Sequence, residues 1–176
     1  AHFMSHNYIV RVLELGLFAG LIAHIIQGLL LWKQNNNARP VKYAVNAAAT
    51  NSKWYSRSMG LLGTLLLFFL ILHVSKFFVE TKVALYADGG ENDASHNLYE
   101  EMKAEFQKWW VVGIYILGLI SLFWHLIHGF QSAFQTLGIN HKRYTPIIKF
   151  AGTAFSIIVC LLFALMPLAF YLEWIS

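Results

Sequence analysis

Apolar side chains follow one another almost without a break over four stretches of the chain, roughly 8–33, 56–81, 109–137 and 147–173, and polar residues gather between them. Each stretch is long enough for an α-helix to cross bilayer hydrocarbon, which takes about 20 residues. Lipid offers no partner to a free backbone N–H or C=O, so each crossing segment has to be helical. The pattern therefore predicts an all-α membrane protein, a transmembrane helical bundle forming one domain over 1–176 with four spanning helices. A shorter pattern lies between the second and third spans: Leu98, Met102, Phe106 and Trp109 recur at helical spacing, which predicts a short amphipathic helix on the membrane surface. Local signals mark the ends of the spans. Trp32, Trp54, Trp109, Trp110 and Trp174 stand where aromatic rings favour the headgroup layer. Gly138 follows the third span as a C-capping residue, and Thr145-Pro146 opens the fourth as N-cap and first turn.

With 57% hydrophobic, 16% aromatic and 12% charged residues among 176, the chain falls outside the composition of soluble domains. Its net charge of +4 sits in the connecting segments and gives no reason to expect nucleic acid as a partner. The single cysteine, Cys160, lies in the fourth span, where it allows no internal disulfide and reads as a small apolar packer. Loop charge does set an orientation, because cytoplasmic loops are enriched in Lys and Arg. Lys33, Arg39, Lys42, Lys53 and Arg57 between the first two spans, and Lys142, Arg143 and Lys149 between the last two, have no acid among them, so both segments are predicted to be cytoplasmic. The segment 84–108, with Asp88, Glu91, Asp93, Glu100, Glu101 and Glu105 against Lys103 and Lys108, and Lys82 just before it, is predicted to face outward. The opening residues, Ala1-His2-Phe3-Met4-Ser5-His6-Asn7, have neither an initiator methionine nor the plan of a signal peptide. They read as a loop entered midway, and a further spanning helix is expected ahead of them.

Ionisable side chains inside a membrane are costly, so each buried histidine needs a partner or a role. His24, His73 and the pair His125 and His128 lie on three different spans. Counted at 1.5 Å per residue from the cytoplasmic ends, His24 is about 14 Å from Lys33 and His128 about 15 Å from Gly138, while His125 is at about 20 Å and His73 about 24 Å from Arg57. His24 and His128 thus share a level, and His73 lies about 10 Å further out. Two imidazoles at one level on separate helices suit the two faces of a haem, giving a six-coordinate electron-transfer site. The first span offers room for a porphyrin: Gly16, Gly20, His24 and Gly28 recur every four residues and form a stripe with little side chain around the imidazole, and Gly129 and Ser132 leave a smaller gap beside His128. The same stripe would also serve close helix packing. His125, three residues from His128, is expected as a neighbour of the haem, and His73 lacks a partner in this chain.

These features occur in segments with a recognisable pattern: LIAHIIQGLLLW (21–32), GLLGTLLLFFLILHV (60–74) and LIHGFQSAFQTLG (126–138), followed by HKRYTPIIK (141–149). Over essentially its full length the chain resembles the five-helix, two-haem cytochrome b subunit of succinate:quinone oxidoreductases, the single-anchor relatives of complex II that include menaquinone-linked fumarate reductases. The resemblance implies two b haems. His24 and His128 would hold the proximal one near the cytoplasm, and His73 the distal one, with a histidine from a helix that precedes this sequence. Gly16, Gly20, Gly28, Gly63, His125, Gly129 and Arg57 would surround the haems. It further implies a flavoprotein and an iron–sulfur subunit docked on the basic face, menaquinone bound near the distal haem with His2 and His6 as candidate contacts, and residence in a bacterial inner membrane. Electrons from succinate would pass through flavin, iron–sulfur clusters and haems to menaquinone. Some fumarate reductases of the family carry a glutamate two residues before the ligand matching His128, used for transmembrane proton movement. Here that position is Leu126, which favours a plain succinate:menaquinone oxidoreductase. Two other readings stay open: the cytochrome b anchor of a hydrogenase or formate dehydrogenase, and a transporter or structural anchor whose histidines relay protons or simply pair.

Overall fold

The computed structural model describes residues 7–38, 48–87 and 98–175. Helix α1 (Tyr8–Asn37) is followed by two short turns of helix, α2 (Ala48–Asn51) and α3 (Trp54–Arg57). Helix α4 (Met59–His73) runs without a break through a π turn (Val74–Val79) into α5 (Glu80–Ala87). Then come α6 (Leu98–Phe106), α7 (Trp109–Thr136) and α8 (Thr145–Tyr171). No strand occurs among the described residues. Tyr8–Asn37, Met59–Ala84, Trp109–Thr136 and Thr145–Tyr171 are long and apolar enough to cross a membrane, so the chain is a multi-pass membrane protein of all-α class.

The spans begin and end close to where the apolar pattern does, with two informative differences. Helix α1 continues to Asn37, a turn beyond Lys33, because the polar run Gln34-Asn35-Asn36-Asn37 stays helical outside the apolar stretch. Helix α8 starts at Thr145 with Pro146 in its first turn, but Thr145 is not a cap: its Oγ1 lies 3.1 Å from Asn140 Oδ1. Gly138 does close α7 as expected. Its φ of +76° lets Ile139 N–H reach back to the Phe134 carbonyl at 2.9 Å, the 6→1 bond of a Schellman motif.

Helix α7 stands between α4 and α8, and glycines set how closely it approaches each. A Cβ on Gly118 would lie 2.6 Å from the Phe69 ring, and one on Gly152 would lie 2.5 Å from Phe130. Between α4 and α7, Ser121 Oγ donates to the Leu62 carbonyl at 2.9 Å. Such a bond holds spans together where lipid gives no hydrophobic drive between helices. Helix α1 runs antiparallel to α4 and α5 and is held at separated points. The Trp32 indole occupies the space at Gly60, Phe18 meets Phe78 at 5.0 Å, and Glu14 pairs with Lys82 at 2.9 Å. None of its residues is buried.

Helix α6 packs inward over one end of the bundle. Phe106, 2% exposed, joins Val111, Val112 and Phe170 in a core flanked by Phe77, Tyr99, Met102 and Tyr115. Met102 and Phe106, the middle of the apolar stripe, thus find a protein platform, while Leu98 and Trp109 at its ends stay exposed. Lys76 fastens the same end: it pairs with Glu80 at 2.8 Å on its own helix and with Glu101 at 3.4 Å and Glu105 at 3.5 Å on α6. A hydrogen bond from Lys108, helped by the charge of Lys76, holds the Glu105 carboxyl below its usual range.

Candidate functional site

Three of the four histidines singled out in the spans gather around one level of the bundle. His24 on α1 faces His125 on α7, with ring centres 6.0 Å apart and planes at 82°. His128 lies one turn further along α7. The depth count had matched His24 to His128, and the longer α1 accounts for the difference. Measured from the observed helix ends, His24 is about 20 Å from Asn37, His125 about 17 Å from Thr136 and His128 about 12 Å from it. Extending α1 by one turn moves the best match by one turn.

His125 sits against α4, where a Cβ on Gly63 would be 3.8 Å from its Cε1, an ordinary contact. Its Nδ1 is buried and has no hydrogen-bond partner among the described residues. On the other side of the pair, Gly16, Gly20 and Gly28 face open space: nothing comes within 4 Å of a Cβ built on any of them, nor on Gly129. The stripe therefore does not pack α1 against another described helix, whereas Gly60, Gly118 and Gly152 do mediate packing.

His73 belongs to a separate level. Its Nδ1 lies 3.2 Å from the Tyr115 hydroxyl, its ring stacks on Phe69 at 5.8 Å and 20°, and Phe77 approaches at 5.6 Å. Two antiparallel contacts, Gly63 with His125 and His73 with Tyr115, give the separation of the levels. Each helix advances ten residues between them, or about 15 Å. Tyr115 escaped the sequence reading, although a tyrosine within an apolar span signals a hydroxyl in need of a partner. What the sequence lacked was the α4–α7 register that supplies His73.

The remaining candidates are less central. The Arg57 guanidinium donates to the Ser52 carbonyl oxygen, bracing the segment that leads into the second span. Trp54, Tyr55 and Trp124 cluster nearby, with Tyr55 stacked on Trp124 at 5.3 Å. His2 and His6 lie outside the described residues. Among the described residues no group of three or more His, Cys, Asp or Glu side chains is arranged to hold a metal ion by itself. Facing imidazoles such as His24 and His125 supply two ligands, which suits a metal whose other positions are filled by a macrocycle. With metal–nitrogen bonds of about 2 Å on either side and the ring radii added, two imidazoles sharing one ion stand about 6 Å apart centre to centre, and the observed spacing fits. No family model, curated protein or solved structure matches this chain.

Proposed function

We propose that this chain is the haem-bearing membrane anchor of a succinate:menaquinone oxidoreductase in a bacterial inner membrane, carrying a flavoprotein and an iron–sulfur subunit on its basic face. The observation that supports this best is the facing pair His24 and His125, on separate spanning helices, 6.0 Å apart and bordered by the open glycine face of α1. Paired imidazoles inside hydrocarbon call for a shared occupant, since each alone would be an uncompensated polar group. Bound between two such ligands, a b-type haem supplies reversible one-electron carriage. His24 and His125 would hold the proximal haem, with His128 as the ligand the sequence count favours. His73 would hold the distal haem, completed by a histidine from outside this chain as the resemblance implies.

The protein's contribution is positional. α7 presents the proximal imidazole toward α1, and Gly16, Gly20 and Gly28 keep side chains off the adjoining face. With about 15 Å between the levels, two such carriers would lie one nearer each end of the bundle. Purification of the complex from membranes tests the reading. Expected are a reducible b-type optical band with two haems per chain, covalent flavin in a partner subunit, and succinate-dependent quinone reduction. Absence of any reducible haem band excludes the redox role, and haem without flavin or succinate activity points instead to a hydrogenase or formate dehydrogenase anchor.

A further inference from the structure

Among the described residues, Tyr115 is the one polar side chain of α7 in hydrogen-bond contact with a histidine of another span, and its place is tightly defined. Its ring is enclosed by Phe69 at 5.1 Å, Phe106 at 5.0 Å and Phe77 at 6.3 Å, all near edge-on. That enclosure aims the hydroxyl at His73 Nδ1, 3.2 Å away. Directly after His73 the helix passes into the π turn Val74–Val79. Phe69, one turn earlier, stacks on the same ring.

We infer that Tyr115 is a positioning residue for the His73 imidazole, fixing its orientation and thereby tuning the group that His73 holds. The inference rests on the proposed role of His73 as an axial ligand. A neutral imidazole has one N–H and one bare nitrogen, and only the bare nitrogen can bind a metal. A metal on Nε2 requires the proton on Nδ1, and the Tyr115 hydroxyl oxygen, 3.2 Å away, is then the acceptor of that Nδ1–H. The bond also makes the imidazole a stronger electron donor, because the acceptor draws the Nδ1 proton away from the ring. A stronger donor stabilises the oxidised metal, so the His73 site has a lower potential than it would have without Tyr115. His125 has no such partner at Nδ1 among the described residues, and its site lacks that contribution.

The experiment is a redox titration of the purified complex, followed at the haem optical bands, for the parent and for Tyr115→Phe, Phe106→Leu and His73→Ala. Tyr115→Phe removes only the hydroxyl and keeps the aromatic enclosure. One of the two haem potentials should move upward while the other stays in place. Phe106→Leu trims the enclosure but leaves the hydroxyl, and should leave both potentials where they were. An unchanged titration in Tyr115→Phe, or an equal shift in Phe106→Leu, overturns the inference, since the effect would then be absent or a matter of packing. Loss of a single haem in Tyr115→Phe also supports positioning, whereas loss of both means a structural role and overturns it. His73→Ala is the separate check on the underlying reading. Full retention of both haems in that variant shows that His73 is not a ligand, whatever Tyr115→Phe does.

Discussion

His125 and His128 differ by one turn of α7, and that turn decides which of them serves His24. His24 meets His125 at 6.0 Å, and Gly63 borders the same imidazole. His24→Ala and His125→Ala should therefore each remove one haem from the purified complex, while His128→Ala should keep both and at most shift a potential. Haem-to-protein ratios measure this. Retention in His125→Ala together with loss in His128→Ala restores the pairing reached by counting from Lys33. The histidines themselves were legible in the sequence, since an imidazole in an apolar run stands out by its cost. Their pairing was not, because it depends on where α1 ends. The polar run after Lys33 gives no sign that the helix goes on through Asn37.

Glycines on these helices fall into two kinds that sequence spacing cannot separate. Gly118 is filled by the Phe69 ring, so Gly118→Val should push α4 and α7 apart and destabilise the bundle by about 1–3 kcal/mol, visible as a lower Tm in detergent. Gly20 faces open space, so Gly20→Leu should leave Tm unchanged or slightly higher while abolishing one haem through bulk alone. Full haem content in Gly20→Leu assigns the stripe to something other than a haem face. The four-residue spacing of the α1 stripe was plain in the sequence, but its use depends on which neighbour lies opposite, and only the helix register supplies that. The same holds for α6, whose amphipathic pattern gave its existence but not the Phe106 and Phe170 platform that draws it inward. Its attachment also depends on pH. Because Lys108 and Lys76 depress the Glu105 carboxyl in the folded state, the stabilisation is present above the unfolded value of about 4.3 and is lost as pH falls through the lower folded value. Hydrogen-exchange protection across 98–106, taken relative to the intrinsic rate at each pH, should fall on acidification below about pH 4, and Glu105→Gln should show reduced protection already at neutral pH. Protection that does not change with pH in the parent protein contradicts this account.

Charge is divided between the two ends of the bundle, and the folded arrangement sharpens the division. At one end Lys53, Arg57, Lys142, Arg143 and Lys149 accompany the spans with no acid in their segments. At the other end three lysines are paired with acids: Lys76 with Glu80, Glu101 and Glu105, Lys108 with Glu105, and Lys82 with Glu14. The positive-inside tendency predicts the basic end in the cytoplasm. The proposed electron route depends on this direction, because it sets the His24 and His125 level on the side of the soluble subunits and the His73 level toward the other face. Cysteine labelling in intact cells tests it. The native Cys160 is buried in α8 and does not compete for reagent. Asn36→Cys, in the exposed last turn of α1, should resist a membrane-impermeant maleimide until the cells are opened, while Glu100→Cys, exposed on α6, should react at once. The reverse pattern inverts the bundle, carries the basic face outside, and leaves no cytoplasmic platform of the expected charge for the flavoprotein and iron–sulfur subunits.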